Sequence, residues 1–242
     1  IGENFSAVGA NVLVSAGEIG NKFWASGGST VEITGGAVGG LSVSHGSVAK
    51  VVGGATIGGV SASYESTVNL ADAHVENSVS ASNGSNANLT DVSVGFNVIV
   101  GKDSVTNLDN TYITGSVIVA RGGTLNFHGG SIGDDLQVDA GGEINLYGTQ
   151  FILGREDITE SLLIGSPFVI SDRGSSLRLR GLLADGSEFQ FELDDRDSSF
   201  GDRFDRTASL TIIRVAAIPE PSTLVLLALA YPILIRARSY SR

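Results

Sequence analysis

Asn69, Asn88, Asn107, Asn126 and Asn145 recur at an interval of 19 residues. A carboxamide carries two donors and an acceptor. A column of them either meets a hydroxyl-rich surface such as a polysaccharide or another copy of the protein, or bonds along its own stack. The even spacing favours the stack, with the outer face as a candidate surface ladder. His45, His74 and His128 fall at three unrelated places in the same interval, so they do not assemble into one metal-ligand set. Asp134, Asp135 and Asp139, and then Asp194, Asp195, Asp197, Asp202 and Asp205, offer carboxylates without the spacing of an EF-hand or a calcium-binding β-roll, and read as solvated loops. GxSxG, HExxH and P-loop patterns do not occur, and no Ser/His/Asp set is supported by spacing. An enzyme is therefore not expected, and no cofactor is implied.

A different chemistry closes the chain. Pro219-Glu220-Pro221 is followed by an apolar run from Thr223 to Ile235 and then by Arg236, Arg238 and Arg242. The run is shorter than the ~20 residues that span a bilayer comfortably, and Pro232 interrupts it. A breaker, an apolar helix and a positive end in that order predict a short membrane-inserting segment over 223–235 with the arginines on the cytoplasmic side. A buried terminal helix is the other reading, and an acidic β-rod has little use for one that ends in three arginines.

The 242 residues include 33 Gly, 4 Pro and no Cys, and the formal net charge is −11. Without Cys there is no disulfide framework, thiolate zinc site or Cys nucleophile. The acidic balance disfavours nucleic-acid partners, which need a basic surface to neutralise phosphates. Collagen is excluded because the glycines keep no period of three.

What positions the amides is a repeat. Of the 33 glycines, 27 fall within residues 1–152, where units of 18–19 residues can be written in register, from NVLVSAGEIGNKFWASGGS (11–29) to TLNFHGGSIGDDLQVDAGG (124–142). The period is too short for two helices, and no 3.6-residue apolar spacing survives the glycine pairs. Each unit holds three apolar pulses separated by turn residues, which predicts three short strands per coil. In the first pulse Val14, Ile33, Leu70, Leu89, Leu108, Phe127 and Leu146 align, and the residues two before them, from Val12 to Ile144, face the same way. The unit at 48–66 leaves open whether Val51 or Val52 points inward. The second pulse, Ile19, Val38, Ile57, Val75, Val94, Ile113 and Ile132, is usually followed by a Gly that permits a tight corner or positive φ. In the third, Phe5/Ala7 and Phe23/Ala25 match large with small, as a packed interior requires. Its outward column, Ser6, Trp24, Ser42, Ser61, Ser80, Ile99, Ile118 and Gln137, carries no carboxylates. Ile99 and Ile118, with Phe96, Tyr112 and Trp24, form a candidate contact patch.

The expected fold is all-β: a three-faced parallel β-solenoid (β-helix) of about eight coils, roughly 40 Å long at ~4.8 Å per coil. It occupies 1–152. Because Ile1–Ala10 match the second half of a unit, the array is expected to be N-terminally truncated. Residues 153–217 have few Gly and more Arg, alternate in LRLRGLLADGSEFQFEL (177–193) around an Ala-Asp-Gly turn, and offer a further strand in 208–215. They predict a β-rich cap over the last coil, with a short helical turn in 156–164. Residues 1–152 hold 13 acids against 4 bases, whereas 153–242 hold 13 against 11. Residues 218–242 form the tail with its short C-terminal hydrophobic helix.

Pro219-Glu220-Pro221, Ser222-Thr223-Leu224 and the closing arginines resemble the PEP-CTERM sorting signal. TVEITGGAVGG and IGNKFWASGGS are likewise similar to the VNISGG-type arrays of some PEP-CTERM proteins, and GLLADGSEFQFEL to the segment that follows them. The resemblance implies an exported protein of a Gram-negative bacterium that makes exopolysaccharide. It also implies a partner, an exosortase-like membrane transpeptidase that uses a cysteine and cleaves near Pro219-Glu220-Pro221, and a destination at the cell surface or in the extracellular matrix. A structural or adhesive role follows, with exopolysaccharide or self-association as the further contact. The alternative is a carbohydrate-active β-helix, a lyase, hydrolase or glycan-binding module. A lyase or hydrolase requires outward acids or bases clustered on adjacent coils, which the strand columns do not contain.

Overall fold

The computed structural model describes residues 4–171, 173, 177–193 and 201–217. Three columns of parallel strands stack in register to form a β-solenoid of about eight turns. The first face runs through Asn11–Val14, Thr30–Ile33, Val48–Val51, the first half of Thr67–Val75 and of Asn86–Val94, Val105–Asp109, Thr124–Phe127 and the first half of Glu143–Leu153. The second face includes Glu18–Ile19, Ala37–Val38, Ala55–Ile57, Thr111–Ile113 and Gly130–Ile132. The third starts at Asn4–Val8 and continues through Lys22–Ser26 and Leu41–Ser44 to Leu136–Val138.

The apolar columns hold the stack together. Val14, Ile33, Val51, Leu70, Leu89, Leu108, Phe127 and Leu146 pair from coil to coil and are all buried. Val51, not Val52, is the inward residue of its coil, with Val52 half-buried. On the third face the Phe5 and Phe23 rings meet edge to face at 5.0 Å, above Ala7 and Ala25, which are both buried. Every coil hides these columns only because a neighbour covers them.

Two kinds of corner separate the faces. The glycine after the second pulse does not carry positive φ at Gly39, Gly58, Gly95 or Gly133. It is there for space: a Cβ on Gly58 would fall on the Gly39 carbonyl of the preceding coil, and one on Gly95 on the Glu76 carbonyl. Left-handed backbone is instead found at the turn after the third face, at His45, Tyr64, Glu65, Asn83 and Asp103, and at the corner between the first two faces, at Asp72, Asp91 and Asn110, with several glycines at each.

That third turn also carries a column of serines. Ser29, Ser47, Ser66, Ser85 and Ser104 close successive units and are all buried. Ser29 Oγ donates to the Ser26 carbonyl, Ser66 Oγ to the Val43 carbonyl, and Ser104 Oγ to the Gly101 carbonyl. The hydroxyls thus tie the turn to nearby turn and strand carbonyls, which pairs these buried polar groups.

The segment after the array extends the solenoid before covering it. Ser209–Arg214 lies parallel on the first face, setting Leu210 over Ile144 and Ile212 over Leu146. Arg203–Phe204 joins the third face with Phe204 over Val138. Arg178–Leu183 and Glu188–Glu192 form the hairpin expected from the Ala184-Asp185-Gly186 turn, and it docks antiparallel on the second half of Glu143–Leu153. Thr159–Ser161 is a single 3-10 turn within 156–164. Arg203 and Asp139 pair at 2.6 Å, and the Asp202 carboxylate accepts the Leu136 and Glu192 backbone N–H groups. These acids of the sequence are therefore latches between the last coil and the strands that cover it. Burial pushes the Asp202 carboxyl up, against the lowering effect of those two N–H donors. Asp194, Asp195 and Asp197 lie outside the described residues.

Candidate functional site

The amide column is a continuous chain of hydrogen bonds on the outer side of the first face. Asn88 Nδ2 donates to Asn69 Oδ1 at 2.7 Å, Asn107 to Asn88 at 2.5 Å, Asn126 to Asn107 at 2.7 Å and Asn145 to Asn126 at 2.8 Å. Each amide is half-buried; the three inner ones spend one donor and the carbonyl along the axis, while Asn69 gives only its carbonyl and Asn145 only a donor. Toward the other end the column passes through the ion pair Glu32–Lys50 at 3.0 Å. Such a column stiffens the rod before it offers anything to a ligand.

The apolar contact patch expected on the third face is divided. Ile99 and Ile118 do pair side by side, yet both are half-buried. Tyr112 belongs to the second face and Phe96 to a corner, and Trp24 lies several coils away with the Lys22 ammonium over its ring at 5.7 Å. Five residues on three surfaces do not make one interface.

The histidines occupy three separate positions. His45 stacks on Tyr64 at 4.9 Å, His74 Nδ1 lies 2.7 Å from Ser93 Oγ, and His128 stacks on Tyr147 at 3.9 Å. Burial holds the His128 imidazole below its ordinary range, with the nearby Asp109 carboxylate acting in the other direction. Among the described residues no group of three or more His, Asp or Glu is placed to hold a metal ion.

No protein-family model, curated protein or solved structure matches the chain. The surface chemistry must therefore be judged from its own geometry.

Outside the strand columns, that geometry brings two outward acids onto adjacent coils at a corner. Asp72 and Asp91 hold equivalent places at the corner between the first and second faces, with Asn110 next in the same column. All three are in the left-handed region, with φ of 50°, 54° and 45°. The turn aims their side chains outward from the junction of two faces. Two residues on, His74, Ser93 and Tyr112 form a parallel column on the second face. The two columns border a groove of about 310 Å³. These corner residues fall between the apolar pulses that define the strand columns. The missed signal is the spacing Asp72, Asp91, Asn110, again 19 residues at each step.

A second shallow groove, about 620 Å³, lies on the hairpin, where Gln150, Arg180, Glu188 and Gln190 mix donors and acceptors over Ile152 and Phe189. Pro219, Glu220, Pro221, Arg236, Arg238 and Arg242 lie outside the described residues, as does the run 223–235. Among the described residues no helix is long and apolar enough to cross a membrane.

Proposed function

We propose that the protein is an exported structural or adhesive component of the cell surface or extracellular matrix of a Gram-negative bacterium, sorted by an exosortase-like system. The observation that carries this reading is the order of parts along the chain. A stacked rod comes first, then strands that continue its columns and cover its end. The last of them, Ser209–Arg214, is followed within a few residues by Pro219-Glu220-Pro221 and the apolar run 223–235. A rod with satisfied ladders suits a load-bearing or spacing role. A detachable tail suits a protein that is held at the membrane only until a transpeptidase releases it.

In this reading the run 223–235 enters the inner membrane transiently, Arg236, Arg238 and Arg242 stay on the cytoplasmic side, and cleavage near the motif frees the rod. Exopolysaccharide, or a second copy of the rod, is the partner in the matrix. Deleting residues 218–242 is expected to keep the protein with the producing cells, while the full chain reaches the exterior fraction. Equal amounts outside with and without the tail, measured by quantitative immunoblotting, contradict the reading.

A further inference from the structure

We propose that the groove at the corner between the first and second faces binds a neutral, hydroxyl-rich polysaccharide. The proposal deepens the adhesive reading above and rests on it for biological context, though not for its test.

The site is bounded by the repeat itself. A corner that needs a left-handed residue is usually left to glycine, and the coil before Asp72 uses Gly53 and Gly54 while the coil after Asn110 uses Gly130. Asp and Asn are the side-chain-bearing residues that adopt this backbone most readily. Three successive coils thus carry a polar group where the flanking corners are bare. At ~4.8 Å per coil the polar stretch is on the order of 10 Å, room for a short length of glycan.

The second column completes it. Tyr112 is 55% exposed, and its hydroxyl has no partner among the described residues. An accessible ring beside hydrogen-bonding groups is suited to the mixed apolar and hydroxyl faces of a pyranose. Asn110 Nδ2 donates to Asp91 Oδ1 at 2.5 Å, and His74 lies 2.7 Å from Ser93 Oγ. These contacts fix four side chains and leave acceptors over. The Asp72 carboxylate has no side-chain partner among the described residues, and Asp91 keeps a second oxygen, so both accept from sugar hydroxyls. Charge selects the ligand class. Two carboxylates on a chain of formal charge −11 repel uronic acids and phosphates, whereas neutral sugars meet no such barrier.

Affinity electrophoresis of the purified full chain tests this, with gels containing dextran, laminarin or galactomannan and a parallel gel containing alginate. The expected result is retardation in at least one neutral gel and unchanged mobility in alginate. Tyr112→Ala is expected to weaken retardation at least tenfold and Asp72→Asn several-fold. Tyr112→Phe, which keeps the ring, and Asn107→Ser, on another face, are expected to retain it. Circular dichroism of each variant separates lost binding from lost fold. Unchanged mobility in every neutral gel overturns the proposal, as does equal retardation of Tyr112→Ala. Retardation that EDTA abolishes overturns it in favour of a cation held by the acids, and new reducing ends overturn it in favour of a cleaving enzyme. Because the purified chain is used, failure of the export reading leaves this result unaffected.

Discussion

Val117→Asp is expected to unfold the array, whereas Asn107→Ser is expected to leave it folded. Val117 is fully buried between Val98 and Leu136, in a column where every neighbour is apolar. A carboxylate there has no cation or donor to meet, and its burial costs more than about 4 kcal/mol, comparable with the stability of many domains. The damage spreads, because the coils on either side bury their own columns against this one. Asn107 is equally central along the axis but faces outward. Serine there breaks the amide bonds to Asn88 and Asn126 and leaves both neighbours within reach of water, at about 1 kcal/mol. Thermal melts followed by far-ultraviolet circular dichroism separate the two, and similar melting temperatures would contradict the assignment of inward and outward columns.

The second large effect is expected at Gly130. Its φ is 106°, and a Cβ there would fall on the Thr111 backbone of the preceding coil. Strand pairing of Gly130–Ile132 with Thr111–Ile113 prevents either segment from moving aside. Gly130→Ala is expected to cost about 2–4 kcal/mol, combining backbone strain with the clash. Gly186, at the hairpin tip, has a φ of 89° but nothing within 4 Å of a Cβ. Gly186→Ala carries strain alone and is expected to cost about 1 kcal/mol. Urea denaturation of both variants isolates the clash, and equal midpoints would show that the coils are not packed as closely as described.

These two sites also mark what could be read in the residues beforehand. The inward columns were legible because stacked coils repeat their chemistry at a fixed interval: Val14, Ile33, Leu70 and Leu89 declare one position many times over. Matching Phe23 with Ala25 was legible for the same reason. The glycines after the second pulse were legible as corners, but not in their cause. Close approach of one coil's carbonyl to the next coil's Cα is a property of the stack, which local turn preference does not record. Ser29, Ser47, Ser66, Ser85 and Ser104 kept the interval openly, yet a serine beside a turn also suits solvent, and only the fold buries it. Phe204, Leu210 and Ile212 continue the solenoid columns across an intervening hairpin. No short-range period links them to Val138, Ile144 and Leu146. The corner column Asp72, Asp91 and Asn110 shared the interval but sat between pulses, so reading strands alone passed over the residues that line the groove.

The export reading turns on the fate of the tail. Protein recovered from the exterior of the producing cell and digested for mass spectrometry is expected to yield a C-terminal peptide that ends at or near Pro221, with residues 222–242 absent. Recovery of intact residues 222–242 on the exterior protein would contradict processing and, with it, the assignment of the tail as a sorting signal.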